Sequence, residues 1–92
     1  RQGNREALGK LLDLYAAVLR RTAASQLPGR VQGRVGASDV VQETYLDAHR
    51  DFDRFYGATE QEFLAWLHGI LQHNIHGAIR DQLVTQKRAA QR

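Results

Sequence analysis

Apolar side chains recur at three- and four-residue steps in three stretches of this 92-residue chain, a rhythm that lets a helix bury one face. In the first, Leu8, Leu11, Leu12, Tyr15, Leu19, Thr22 and Ala23 share a stripe, which predicts a helix over about residues 4–25 with Asn4 as its N-cap. The second is expected to begin near Ser38 or Asp39, with Asp39 and Gln42 at the spacing of a capping box. At 100° per residue its Val41, Tyr45, Ala48 and Phe52 fall in a narrow arc, the expected core side. The third opens on Thr59-Glu60-Gln61-Glu62, a capping box, and carries Phe63, Leu67, Ile70, Leu71, Asn74 and Ala78 on one stripe. Gly69 and Gly77 weaken that helix and are expected to mark close approach of another backbone.

Turn chemistry separates the stretches. Leu27-Pro28-Gly29 is a strong turn signal, and residues 26–37 read as a loop or a broken short helix, with a short extra helix expected near 30–36. Between the second and third helices lies an aromatic loop, Asp53-Arg54-Phe55-Tyr56-Gly57-Ala58. The expected fold class is all-α, a compact bundle of three main helices forming a single domain over residues 1–92.

Composition removes whole classes of chemistry. Without cysteine there is no disulfide, iron–sulfur cluster, thiolate zinc site or cysteine nucleophile. His68, His73 and His76 share the third helix, but His68 and His76 stand ~12 Å apart along its axis, too far to bind one zinc at ~2.1 Å. No metal site and no cofactor are expected. Asp51 and Asp53 are paired acids without a pocket, and no phosphate cradle, Ser–His–Asp set or nucleophile elbow is present, so the chain does not read as an enzyme. No apolar run reaches the ~20 residues of a membrane span. With no methionine even at its start, the chain is expected to be a piece excised from a longer soluble, cytoplasmic protein with no membrane partner.

What remains is binding, and charge divides it. Residues 1–37 carry a balance of +5, residues 38–62 of −5, and residues 63–92 of +3. Two basic segments around an acidic one suggest two different partners. On the second helix Asp39, Glu43, Leu46 and Arg50 lie opposite the core arc, with Asp47 alongside; a leucine amid outward charges marks a candidate anchor for a partner. On the third, His68, Gln72 and His76 align at four-residue steps, flanked by His73 and Arg80, with no acid until Asp81. Amide, imidazole and guanidinium groups are the types that hydrogen-bond base edges and phosphates. Phe55, Tyr56 and Trp66 lie close in sequence, and aromatic groups beside a basic face suit the stacking of unpaired bases.

The run Asp39-Val40-Val41-Gln42-Glu43-Thr44-Tyr45-Leu46-Asp47-Ala48-His49-Arg50 resembles the D-[LV]-V-Q-E-[TV]-[FY]-L-x-A-[WH]-R signature of region 2 in bacterial sigma factors of the extracytoplasmic-function group. The likeness continues through Phe52, Phe55, Phe63, Ala65-Trp66-Leu67, Ile70 and Asn74, and the opening Asn4-Arg5-Glu6-Ala7-Leu8 with Tyr15 and Leu19 is similar to that family's first helix. The family's usual spacing from Trp to Asn is seven residues, whereas Asn74 follows Trp66 by eight.

The resemblance implies a non-catalytic transcription initiation domain. Asp39, Gln42, Glu43 and Leu46 would contact the clamp helices of the RNA polymerase beta-prime subunit. Phe55, Tyr56, Gly57 and Thr59 match the loop positions that capture a flipped base of the single-stranded −10 non-template strand. Trp66, Gln72, His73, His76 and Arg80 complete the expected DNA-binding set, and an anti-sigma factor is a further implied partner. The competing reading is a helical protein–protein interaction module without DNA-binding activity, which accounts for the acidic face and Leu46 but does not require the aromatic loop.

Overall fold

A computed structural model describes residues 2–32 and 36–90. Four helices follow one another: α1 (Gln2–Gln26), α2 (Gly29–Gln32), α3 (Ala37–Asp51) and α4 (Glu60–Ala90), with a single 3-10 turn at Phe52–Arg54 and no strand among the described residues. The fold is all-α with three main helices, as the apolar rhythm predicts. The short α2 takes up part of the expected 30–36 element, whose residues 33–35 lie outside the described residues. The 52 Å long axis reflects α4, whose 31 residues at ~1.5 Å each span most of it.

α3 packs against both α1 and α4, which touch each other less. Its burial is therefore wider than a one-sided amphipathic helix needs. Val40, Val41, Thr44 and Ala48 are buried, while Tyr45 and Phe52 are half-buried at the margin. This corrects the expected arc of Val41, Tyr45, Ala48 and Phe52: α4 covers the Val40 and Thr44 side as well. Leu8, Leu12, Leu19 and Ala23 of α1 and Phe63, Leu67, Leu71 and Ile75 of α4 complete the core, with Leu27 and Val31 sealing the end near α2.

The helix ends follow local chemistry, with two corrections. α1 already runs from Gln2, so Asn4 lies within its first turn and is not the N-cap. Gly36 is the N-cap of α3, and Asp39 is its third residue, not its start. There the Asp39 carboxylate accepts the Gly36 N–H at 3.3 Å, and a negative charge in a first turn is favourable. At α4 the expected box is complete. Thr59 Oγ1 accepts the Glu62 N–H at 3.1 Å, and Glu62 Oε1 accepts the N–H groups of Ala58 at 3.1 Å and Thr59 at 3.2 Å.

Those donors, the Ala58 N–H foremost, hold the Glu62 carboxyl below its ordinary value of 4.5. Because the folded value is the lower one, the stabilisation is present above the unfolded value and is lost as pH falls through the folded value. In a carboxyl NMR titration, Thr59→Ala raises the Glu62 midpoint; an unchanged midpoint would remove Thr59 from the cap.

Gly69 and Gly77 do not mark close backbone approach. A Cβ at Gly69 would meet nothing within 4 Å, and one at Gly77 would meet only the Arg80 guanidinium, at 3.7 Å. α4 nevertheless continues through both, since burial of its apolar face outweighs the ~1 kcal/mol propensity cost of each.

Candidate functional site

The exposed side of α3 is built by subtraction. With Val40, Thr44 and Ala48 turned inward, Gln42, Leu46, Asp39, Arg50 and Glu43 fall in order across an outward arc of roughly 100°. All five are exposed, and Leu46, 65% exposed, lies opposite the buried face. A groove of about 440 Å³ runs beside Leu46 and Gln42 toward α1, bounded by Arg20, Ser38, Val41 and Tyr45. Tyr45 fixes that flank: its hydroxyl donates to the Leu12 carbonyl at 2.8 Å, and burial, with Asp13 adding to it, pushes the phenol above its ordinary value.

The opposite flank of α3 meets α4 through a polar connection that sequence spacing alone did not reveal. The Asn74 amide donates to Thr44 Oγ1 at 3.1 Å and to Asp47 Oδ2 at 3.0 Å. Thr44 spends its own hydrogen on the Val40 carbonyl at 2.8 Å, leaving a lone pair for the amide. Asp47 also pairs with Arg50 at 3.2 Å, and Arg50 makes a two-pronged bond with Asp51, both contacts at 3.0 Å. This pairing holds the Asp51 carboxyl below its ordinary value and the Arg50 guanidinium above its own. Asn74 is thus a buried structural amide. His73, seven residues after Trp66, is the exposed neighbour.

Four aromatic rings pin the loop to the start of α4. Phe55 stacks on Phe52 at 6.4 Å between ring centres, lies 5.1 Å from Trp66 and meets Phe63 edge-on at 5.9 Å. Such arrangements are worth about 0.5–1.5 kcal/mol per pair beyond burial. Gly57 is required by this packing, because a Cβ there would stand 2.5 Å from Phe55 Cε1. Tyr56, between them, is 93% exposed. The four loop positions therefore divide: Phe55 and Gly57 fold the loop, Thr59 caps α4, and Tyr56 projects outward.

Along α4, His73, His76 and Arg80 are exposed, while Gln72 and Trp66 are half-buried. Trp66, His73 and Arg80 recur every seven residues and so lie along one edge. Two grooves follow that edge. One of about 540 Å³ places Trp66 and His73 opposite Asp47, Arg50 and Asp51; the next, about 400 Å³, places His73 and Arg80 opposite Asp39 and Glu43. The strip along α4, free of acids as far as Asp81, which also lines the second groove, therefore meets the acids of α3 in space. The two candidate surfaces share a border, which the separate charge blocks of the sequence do not convey.

Arg5 ties the far ends together, donating to the His49 carbonyl at 2.6 Å and pairing with Asp53 at 3.3 Å. Asp51 and Asp53 are thus both engaged with arginines. Among the described residues no group of three or more His, Asp or Glu side chains could hold a metal ion, and no helix is long and apolar enough to cross a membrane.

A family model described as Sigma-70 region 2 matches residues 10–88, a span that covers α3, the aromatic loop and every candidate residue. No curated protein and no solved structure matches the chain. The matched span and the all-α arrangement agree in assigning the sequence to one family of transcription initiation domains: the chain belongs to the sigma-70 region 2 family.

Proposed function

We propose that the protein is the region 2 domain of an extracytoplasmic-function sigma factor, working in the cytoplasm. Asp39, Gln42, Glu43 and Leu46 dock on the beta-prime clamp helices of RNA polymerase. Tyr56, with Trp66, Gln72, His73, His76 and Arg80, engages the −10 element as its non-template strand separates. An anti-sigma factor that covers either surface would block initiation. The observation that carries this reading is Leu46, held outward among Gln42, Asp39 and Glu43 on a helix whose other faces are packed. An apolar anchor ringed by polar and charged groups is the usual anatomy of an interface centre.

The loop supports the nucleic-acid half. Phe55 and Gly57 pack the loop against α4, and from between them Tyr56 reaches solvent, which lowers the ordering that the loop would need on binding. Capturing an unstacked base costs a few kcal/mol, offset by contacts with the flipped base. Tyr56→Ala should weaken binding of a single-stranded −10 oligonucleotide by about 1–3 kcal/mol, roughly 5- to 150-fold, in a fluorescence titration at fixed low salt. Helicity should not change, because the side chain is exposed. Equal affinities for variant and wild type would favour the protein-interaction module instead.

A further inference from the structure

The outward side of α1 carries an apolar stripe that neither surface described above uses. Leu14 is 68% exposed and Val18 47%, and with the exposed Ala7 and the half-buried Leu11, which also packs on the core, they follow one another at steps of four, three and four residues. That is the 3.5-residue average of a helix-on-helix seam. Scattered exposed leucines are ordinary, but here two large apolar side chains adjoin on one seam. At the Ala7 end it opens into a cleft of about 320 Å³ walled by Leu8, Leu11, Phe52, Phe55 and Phe63. A partner helix laid along α1 has room there for one large apolar side chain.

Charge selects the partner. Lys10 and Arg21, four residues before and seven after Leu14, lie on its face of the helix and are exposed, whereas Glu6 and Asp13 are turned further from the stripe and Glu60, beside Tyr15 at the cleft, lies on its opposite flank. We propose that this face of α1 docks an amphipathic helix of another protein, apolar along its seam and acidic along the edge that meets Lys10 and Arg21. A second copy of the chain would bring the same basic edge to a segment that already carries +5 over residues 1–37, so self-pairing is the poorer occupant. The site lies on a different helix from the polymerase-facing residues and stands whether or not they bind polymerase.

The probe is a displayed library of helical peptides with leucine fixed at the seam positions and glutamate, lysine or glutamine allowed at the flanking ones, selected on the 92-residue chain. The expected result is enrichment of glutamate over lysine beside the seam by about tenfold or more, since electrostatic complementarity governs such a choice. Selected peptides should lose at least about tenfold in affinity for Leu14→Glu and for Val18→Gln, as expected when an apolar anchor is lost. Both sites are exposed, and circular dichroism of the two variants should match wild type. Lysine-rich winners, wild-type affinity in both variants, no enrichment, or a Leu14-dependent dimer in sedimentation would each overturn the proposal.

Discussion

Replacing Glu43 with lysine will lower the affinity of this domain for a beta-prime clamp-helix fragment by about 100-fold or more while leaving its helicity unchanged. Glu43 closes one edge of the outward arc of α3, two positions from any fully buried side chain except Thr44, and it is exposed, so the substitution costs the fold little. The arc it belongs to presents Asp39, Glu43 and Leu46, with Arg50 tied to Asp47 and Asp51, so a partner basic around an apolar pocket would complement it. A reversed charge in that setting sets like against like, at a cost of several kcal/mol, where about 1.4 kcal/mol is already tenfold. Fluorescence anisotropy with a labelled clamp-helix fragment measures the loss. Wild-type affinity in the variant would mean that α3 docks through another face.

Asn74→Asp is expected to be the most damaging single polar substitution in the core. The amide it removes is the donor that links α4 to Thr44 and Asp47. A carboxylate in its place cannot donate, and it stands at about hydrogen-bond distance from Asp47, whose side chain is only 17% exposed. Breaking such a buried arrangement costs roughly 3–5 kcal/mol, and for a domain of this size each kcal/mol shifts Tm by about 4–8 °C. The pH dependence separates this cause from a general loss of packing. Like-charge proximity raises the folded pKa of the new acid pair above the unfolded values near ~4. The destabilisation is therefore small below the unfolded pKa, grows as pH rises past it, and is complete above the raised folded value. Urea unfolding should show a large difference from wild type at pH 7.5 and a much smaller one at pH 4. Equal differences at both pH values would contradict the pairing with Asp47.

Much of this arrangement is legible in the residue spacing, and most of what is not depends on a second helix. The outward direction of Asp39, Glu43, Leu46 and Arg50 follows from helical period alone, because it depends only on which side of one helix is apolar. The capping box at Thr59 and Glu62 was equally readable, since both halves lie within four residues. Where spacing fell short, a second helix decided the outcome. Val40 and Thr44 are buried because α4 covers a flank that a single amphipathic stripe would leave open. Asn74 could be placed on the inner stripe, but its partners sit 30 and 27 residues away and no local pattern announces them. A Thr and an Asp three apart on α3, opposite a lone asparagine on an apolar stripe, was the available signal. Sequence proximity groups Phe55 with Tyr56 as a stacking residue, whereas ring packing draws it against Trp66 and leaves Tyr56 outside. The acids opposite His73 and Arg80 were hidden for the same reason, belonging to a different helix.

One domain is expected to meet two different macromolecules through two bordering surfaces, α3 for protein and the loop with α4 for DNA. Site-specific photo-cross-linking in a reconstituted polymerase–promoter complex tests it directly, with the reactive group placed at Leu46 in one preparation and at Tyr56 in another. Position 46 is expected to label the beta-prime subunit and position 56 the non-template strand of the −10 element. DNA labelled from position 46, or beta-prime labelled from position 56 with no DNA product, would contradict it.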